Sequence, residues 1–284
     1  MKQERILIFK IRICLFLSAI LLLLETLMMS PSAFAIEGTV EFPMIKSEVL
    51  GSKQELGVYL PPGYATSGLA YPVLYLFHGS SGTDRSYFNG TIDEIQEALV
   101  AQRRMNPVIM VAPNMPGWIY VGNQWANYFI QDIMPFVDQT YRVLHFRENR
   151  GIYGYSKGGG DVIQLAFMRP DLFSVIGAGA AAYSLPMKEL EQYDAVKYPI
   201  RFWIHHGRSD TVVSFANSER LVALIKEKGW ECVFESYDGD HFTIPQDIQE
   251  RGQEYFSKFL GDPLTLVQPQ DRLTTKWGGV KTNQ

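Results

Sequence analysis

The sequence predicts an α/β protein in which a mostly parallel sheet carries helices on both faces. Short runs rich in β-branched and aromatic residues alternate with longer helix-like stretches through most of the chain, the order that gives parallel strands covered on both sides. Pro199-Ile200-Arg201-Phe202-Trp203-Ile204-His205-His206-Gly207 reads as a buried strand ending in a glycine. The chain has 284 residues, 46% hydrophobic and 20% charged, a size and balance that let one core bury roughly three quarters of the unfolded surface.

The first 35 residues read as a targeting segment rather than as fold. Lys2, Arg5, Lys10 and Arg12 make a basic start, Ile13 to Leu24 is an apolar stretch, and Ala33-Phe34-Ala35 supplies small residues where a signal peptidase cuts. The three parts in that order predict a secretory signal peptide over 1–35, cleaved after Ala35, and a secreted or periplasmic product. Glu25 and the short apolar run argue against the alternative, a membrane anchor, which needs about twenty apolar residues; no stable membrane span is expected after processing. Removing four cations and two anions moves the net charge from −4 to −6.

The predicted domain covers 36–261. Val40 to Ser47 and Glu55 to Leu60 suggest an antiparallel start to the sheet. Val73 to Phe77, Val108 to Ala112, Arg150 to Tyr153, Val175 to Ala178, Ile200 to His205 and Glu231 to Tyr237 then alternate with helices. The tail, 262–284, holds Pro263, Pro269, Gly278 and Gly279 without periodicity and reads as a surface extension or a disordered segment.

Gly154-Tyr155-Ser156-Lys157-Gly158 is the motif that carries chemistry. A strand leads into it and an apolar helical pattern (Val162, Ile163, Leu165, Ala166, Phe167) follows, the setting of a nucleophile elbow. Small flanking residues let strand and helix pack closely, and the turn lifts the serine hydroxyl away from the backbone. The helix N-terminus also offers free N–H groups and a positive dipole end to a developing oxyanion.

A nucleophilic serine needs a base, and the base an orienting group. Asp210 lies just beyond the end of the strand that closes at Gly207, and His241 in the loop Asp238-Gly239-Asp240-His241-Phe242 is the last histidine of the chain. The order Ser156, Asp210, His241 is the order expected after such an elbow. Asp238 and Asp240 are rivals for the acid, but neighbours in one loop are poorly placed to grip the ring. His78 closes a strand and is expected to hydrogen-bond locally. His205 and His206 alternate, so at most one can face the site. His145 sits in a polar connector. No pair has a metal-ligand spacing, so no metal and no cofactor are expected. Cys14 belongs to the leader, which leaves Cys232 without an intrachain partner and reads as an inert core thiol. The net charge and the lack of any basic run exclude nucleic acid as an expected partner.

These segments resemble the esterase D-like branch of the α/β-hydrolases, a group that includes S-formylglutathione hydrolases, feruloyl and acetyl-xylan esterases and mycolyltransferases. Gly207-x-x-Asp210, the Gly-Asp-His241 loop and the elbow carry the resemblance. Tyr59-Leu60-Pro61-Pro62-Gly63-Tyr64, Tyr71 to Gly79, Tyr128 to Pro135 and Tyr141-Arg142 extend it over residues 40 to 260. It implies an α/β-hydrolase fold and a Ser156–His241–Asp210 triad. It implies an oxyanion hole made by the backbone N–H groups of Ser80 and Lys157. Two residues depart from the family: Lys157 stands where Met is usual and either attracts an anionic substrate or extends into solvent, and Ser80 replaces a bulkier residue.

The expected function is therefore that of a secreted serine carboxylic ester hydrolase acting through an acyl-enzyme on short-chain, aryl or carbohydrate-linked esters, a small-molecule or carbohydrate substrate. Transfer of the same acyl group to an alcohol, and a non-catalytic surface-binding protein, are the alternatives. Trp118, Tyr120 and Trp125 either wall the substrate site or pack their loop onto the body. Oligomeric state is left open.

Overall fold

The computed structural model describes residues 37–89, 91–120, 122–183 and 197–265; the predicted leader and most of the predicted tail lie outside these. Every described element lies in one compact unit that begins at Gly38. The strands are β1 (Thr39–Glu41), β2 (Met44–Ser47), β3 (Ser52–Leu60), β4 (Val73–Phe77), β5 (Ile109–Pro113), β6 (Arg150–Tyr155), β7 (Val175–Gly179), β8 (Arg201–Gly207) and β9 (Glu231–Tyr237). Among the described residues they form a nine-stranded sheet in the order β1-β3-β5-β4-β6-β7-β8-β9, with β2 also on β3. Pairings from β5 to β9 are parallel, and those of β1, β2 and β5 with β3 are antiparallel. The one strand predicted over Val40–Ser47 is two, because Pro43 has no N–H to give to the ladder.

Alternation along the central strands feeds two cores. Tyr75, Phe77, Ile152, Phe202 and Ile204 point into one, and Leu74, Leu76, Tyr153 and Trp203 into the other. The helices in chain order are α1 (Tyr64–Ser67), α2 (Ile92–Ala101), α3 (Gln124–Tyr128), α4 (Met134–Thr140), α5 (Lys157–Met168), α6 (Phe215–Glu227) and α7 (Gln246–Leu260). Between α3 and α4 the helix widens into a π turn, Phe129–Ile133. Pro135, lacking an N–H and crowding the carbonyl four residues back, explains the widening. Tyr128, Val137, Val162, Leu165, Leu221 and Ile225 bring α3 to α6 onto the first core, while Leu99, Ile248 and Phe256 bring α2 and α7 onto the second. Helices thus cover both faces.

The start of the predicted tail is bound to the body. Leu264 exchanges two backbone hydrogen bonds of 2.9 Å with Ala70. Cys232 is half-buried, and burial pushes its thiol up to about 11. Among the described residues no helix is long and apolar enough to cross a membrane.

Candidate active site

The sequence builds the elbow by denying it side chains. A Cβ on Gly154 would lie 2.1 Å from the carbonyl oxygen of Gly158, and one on Gly158 would lie 2.1 Å from that of Phe77. Both contacts are to backbone, so neither glycine can be replaced without moving β6, α5 or β4. Between them Ser156 takes φ 56° and ψ −118°, a conformation that costs a residue with a Cβ about 1–3 kcal/mol. The turn is tied down from outside. The Ser156 N–H donates to Gly179 (2.8 Å), and the Ala182 N–H donates to the Ser156 carbonyl (2.9 Å). Lys157 opens α5, so the serine stands at a helix N-terminus.

The loops after β8 and β9 meet this turn. His241 Nε2 lies 3.0 Å from Ser156 Oγ, and His241 Nδ1 lies 2.7 Å from Asp210 Oδ2. The carboxyl group of Asp210 is fully buried and the imidazole nearly so. Burial alone would push the Asp210 carboxyl up. The hydrogen bonds from His241, Val213 and Val212 outweigh that and hold it below the ordinary value. With the carboxylate accepting at Nδ1, Nε2 is the atom free to take the serine proton. Asp238 pairs with Arg208 at the surface, and Asp240 accepts from the Phe242 N–H. Of the three aspartates considered for the acid, Asp210 is the one bonded to the ring.

The turn after β4 lies against the nucleophile. A Cβ on Gly79 would stand 3.6 Å from that of Ser156. His78 shapes this turn, as expected of a locally bonded histidine. Its Nδ1–H donates to the Gly79 carbonyl (2.7 Å), and its Nε2 accepts from the Met115 N–H (2.9 Å). Burial holds its pKa below the ordinary imidazole value.

The Lys157 side chain corrects both readings of the sequence. It neither reaches solvent nor offers its charge to a substrate. It is buried, and Nζ donates to the Met115 carbonyl (2.9 Å) and to Asp161 Oδ2 (2.6 Å). Asp161 Oδ1 in turn accepts from the Ile119 N–H (2.7 Å). One turn of α5 thereby grips the 115–119 segment. Burial raises the Asp161 pKa, against the pull of Lys157.

That segment presents Trp118, and Tyr120 follows it, 47% and 60% exposed. They line a groove of about 540 Å³ with Gly160, Tyr183 and Val213. Trp125 takes no part, a correction to the three-aromatic wall. Its ring is half-buried against the core, edge-on to Tyr128, and fills the space a Cβ on Gly117 would need. A cavity of about 340 Å³ lies on the other face of the sheet, lined by Tyr153, Trp203, His205 and Phe242. Among the described residues no group of three His, Cys, Asp or Glu side chains could hold a metal ion.

Two contacts escaped the sequence. The Tyr155 hydroxyl donates to the His241 carbonyl (2.7 Å), pinning the loop that carries the imidazole. His206 Nε2 lies 3.1 Å from Asp210 Oδ2. The signal for the second was present in part, since strand alternation sends one of His205 and His206 toward this side. Tyr155 carried no signal beyond lying next to the serine.

Comparison with known proteins adds a family. The family model described as "Putative esterase" matches residues 47–242. An esterase of Mycobacterium tuberculosis, Rv1288, is 30% identical over 130 residues, 43% of this chain and 27% of its own length. An endo-1,4-beta-xylanase/feruloyl esterase of Xylanibacter ruminicola is 28% identical over 174 residues, 57% of this chain and 24% of its own length. The chain thus spans about a quarter of these curated relatives. Among solved structures, a ferulic acid esterase superposes with a TM-score of 0.69 at 22% identity, covering 80% of this chain and 100% of its own. A ferulic acid esterase of Anaeromyces mucronatus, solved with ferulic acid, gives 0.66 at 24%, covering 79% and 91%. At these identities the likeness shows the fold, that of the α/β-hydrolases.

Proposed function

Because this chain belongs to the esterase family whose model spans residues 47–242, we propose that it is a serine carboxylic ester hydrolase that works through an acyl-enzyme on Ser156. The observation that carries the reading is the run of hydrogen-bond distances from Ser156 Oγ through His241 to Asp210, 3.0 Å and 2.7 Å. Ser156 Oγ attacks the ester carbonyl while His241 Nε2 takes its proton, and Asp210 stabilises the imidazolium that forms. The N–H groups of Ser80 and Lys157 hold the tetrahedral oxygen. The same imidazole then protonates the leaving alcohol, and later deprotonates the water that releases the acid.

Aryl or carbohydrate-linked esters are the proposed substrates. The support is the exposed pair Trp118 and Tyr120, which offers flat apolar surface in a groove that also carries Gln164, Ser214 and Asn217, together with relatives whose names include feruloyl esterase. The leader, 1–35, is proposed to direct secretion; N-terminal sequencing of exported protein should begin at Ile36.

Ser156→Ala tests the chemistry. Hydrolysis of p-nitrophenyl acetate should fall by about a millionfold, the size of effect seen when a triad serine is removed, and labelling by a fluorophosphonate should vanish. Turnover near that of the parent would refute the assignment. Trp118→Ala should raise KM for methyl esters of aromatic acids and leave it unchanged for p-nitrophenyl acetate; equal effects on both would remove Trp118 from the substrate site.

A further inference from the structure

We propose that His206 is a positioning residue of this reaction: a buried neutral imidazole that donates from Nε2 to Asp210 and fixes the direction in which that carboxylate meets His241. The inference rests on the reading of Ser156 as nucleophile. His205 and His206 end β8 on opposite faces. His205 stacks on Tyr153 in the second core, whereas His206 lies in contact with Phe215 of α6.

The tautomer follows from its three polar contacts. Nε2 lies 3.2 Å from the Val213 carbonyl and 3.1 Å from Asp210 Oδ2. A carbonyl can only accept, so Nε2 carries the hydrogen. Nδ1, 2.8 Å from Ser218 Oγ, then accepts from that hydroxyl. The ring is fully buried, and burial lowers its pKa against the attraction of Asp210, which keeps it neutral.

Asp210 consequently receives four donors. The Val212 and Val213 N–H groups, both at 2.8 Å, fill Oδ1, while His241 and His206 fill Oδ2. The carboxylate cannot turn without breaking bonds on both oxygens. Its charge on Oδ2 is also shared between two imidazoles, so loss of His206 leaves it freer to rotate and concentrates its charge on His241.

Three side-chain types at 206 test this. His206→Phe keeps the ring and removes the donor, and should lower kcat for p-nitrophenyl acetate about tenfold to a hundredfold, the range for groups that orient a direct partner, with KM unchanged. The acid side of its pH–rate profile should move to higher pH, because the less-bonded carboxylate holds the protonated imidazole more tightly. His206→Gln keeps an N–H at similar reach and should recover most of both effects.

The groups that meet His241 from the packed elements are Ser156, Asp210 and Tyr155, and Tyr237 and Asp240 lie beside these. Burial pushes Tyr155 well up and Tyr237 up to about 12, and the Phe242 N–H holds Asp240 below the carboxylate range. None changes charge across about pH 5 to 8, so the shift reports Asp210 and His206. A His206→Phe protein with the parent's kcat and profile, or a His206→Gln protein as impaired as the Phe variant, would overturn the inference. Should the Phe variant fail to fold, ¹⁵N NMR of the parent decides: hydrogen on Nε2 of His206 supports it, and hydrogen on Nδ1 overturns it. A parent protein that a fluorophosphonate does not label at Ser156 would instead bring down the reading of the nucleophile, and this is seen before any variant at 206 is made.

Discussion

At Ser156 the backbone enters positive φ because the space around it leaves no alternative. The two carbonyls that approach Gly154 and Gly158 within 2.1 Å of a would-be Cβ belong to α5 and β4, so the turn's shape is enforced by strand–helix contact on both sides. Gly158→Ala should therefore lower stability by about 1–3 kcal/mol, the cost of forcing extra atoms into a packed site, and depress hydrolysis, as read by denaturant melts and p-nitrophenyl acetate turnover. Unchanged melts would show that β4 can give way. Asp210→Asn addresses the orienting group. An amide can offer its oxygen to the Val212 and Val213 N–H groups only by turning its NH₂ toward His241, which forces the wrong tautomer. Turnover should fall by about ten-thousandfold, as when other triads lose their carboxylate this way; a loss below tenfold would show that the carboxylate is dispensable.

At the scale of elements, the first turn of α5 does two things. It presents the Lys157 N–H beside the nucleophile, and through the Lys157–Asp161 pair it holds the 115–119 segment that carries Trp118. Both side chains are buried, so removing one partner leaves an uncompensated charge. Asp161→Asn should cost about 3–5 kcal/mol in chemical denaturation. Replacing the pair together, Lys157→Met with Asp161→Leu, should come near the parent in stability, since a buried ion pair is often matched by apolar residues of like volume. The double variant also gives up the bonds to Met115 and Ile119. Its KM for esters of bulky aromatic acids should rise while p-nitrophenyl acetate is hydrolysed as before; a KM for the bulky esters equal to the parent's would show that Trp118 is held by other contacts.

Across the whole molecule, three of the buried histidines should make stability fall toward acid pH. Burial lowers His78, His205 and His206 below the ordinary imidazole value, His205 to about 3. The unfolded chain takes up these protons near pH 6.5 and the folded protein does not, so stability is full above that value and is lost as pH falls. For His205 the loss is about 1.4 kcal/mol for each pH unit down to about 3. Melts between neutral pH and pH 4 should show Tm falling steadily, and His205→Phe should flatten part of the slope. A parent Tm independent of pH in that window would contradict the burial of these rings.

The sequence alone determined the layered α/β architecture, because strand and helix periods are local and the strand-turn-helix around Ser156 is contiguous. Motif order also singled out Ser156, Asp210 and His241 as candidates. Only the tertiary structure decided what meets across distance. It buried the Lys157 cation on Asp161 beneath the Met115 carbonyl instead of leaving it in solvent, packed Trp125 into the body and set His206 against Asp210. The pairs Lys157–Asp161 and His206–Asp210 are only four residues apart, but what buries them and completes their bonding, Met115 for the first and His241 for the second, comes from distant parts of the chain; a charge or an aromatic ring carries no local mark of whether the fold will supply it such surroundings.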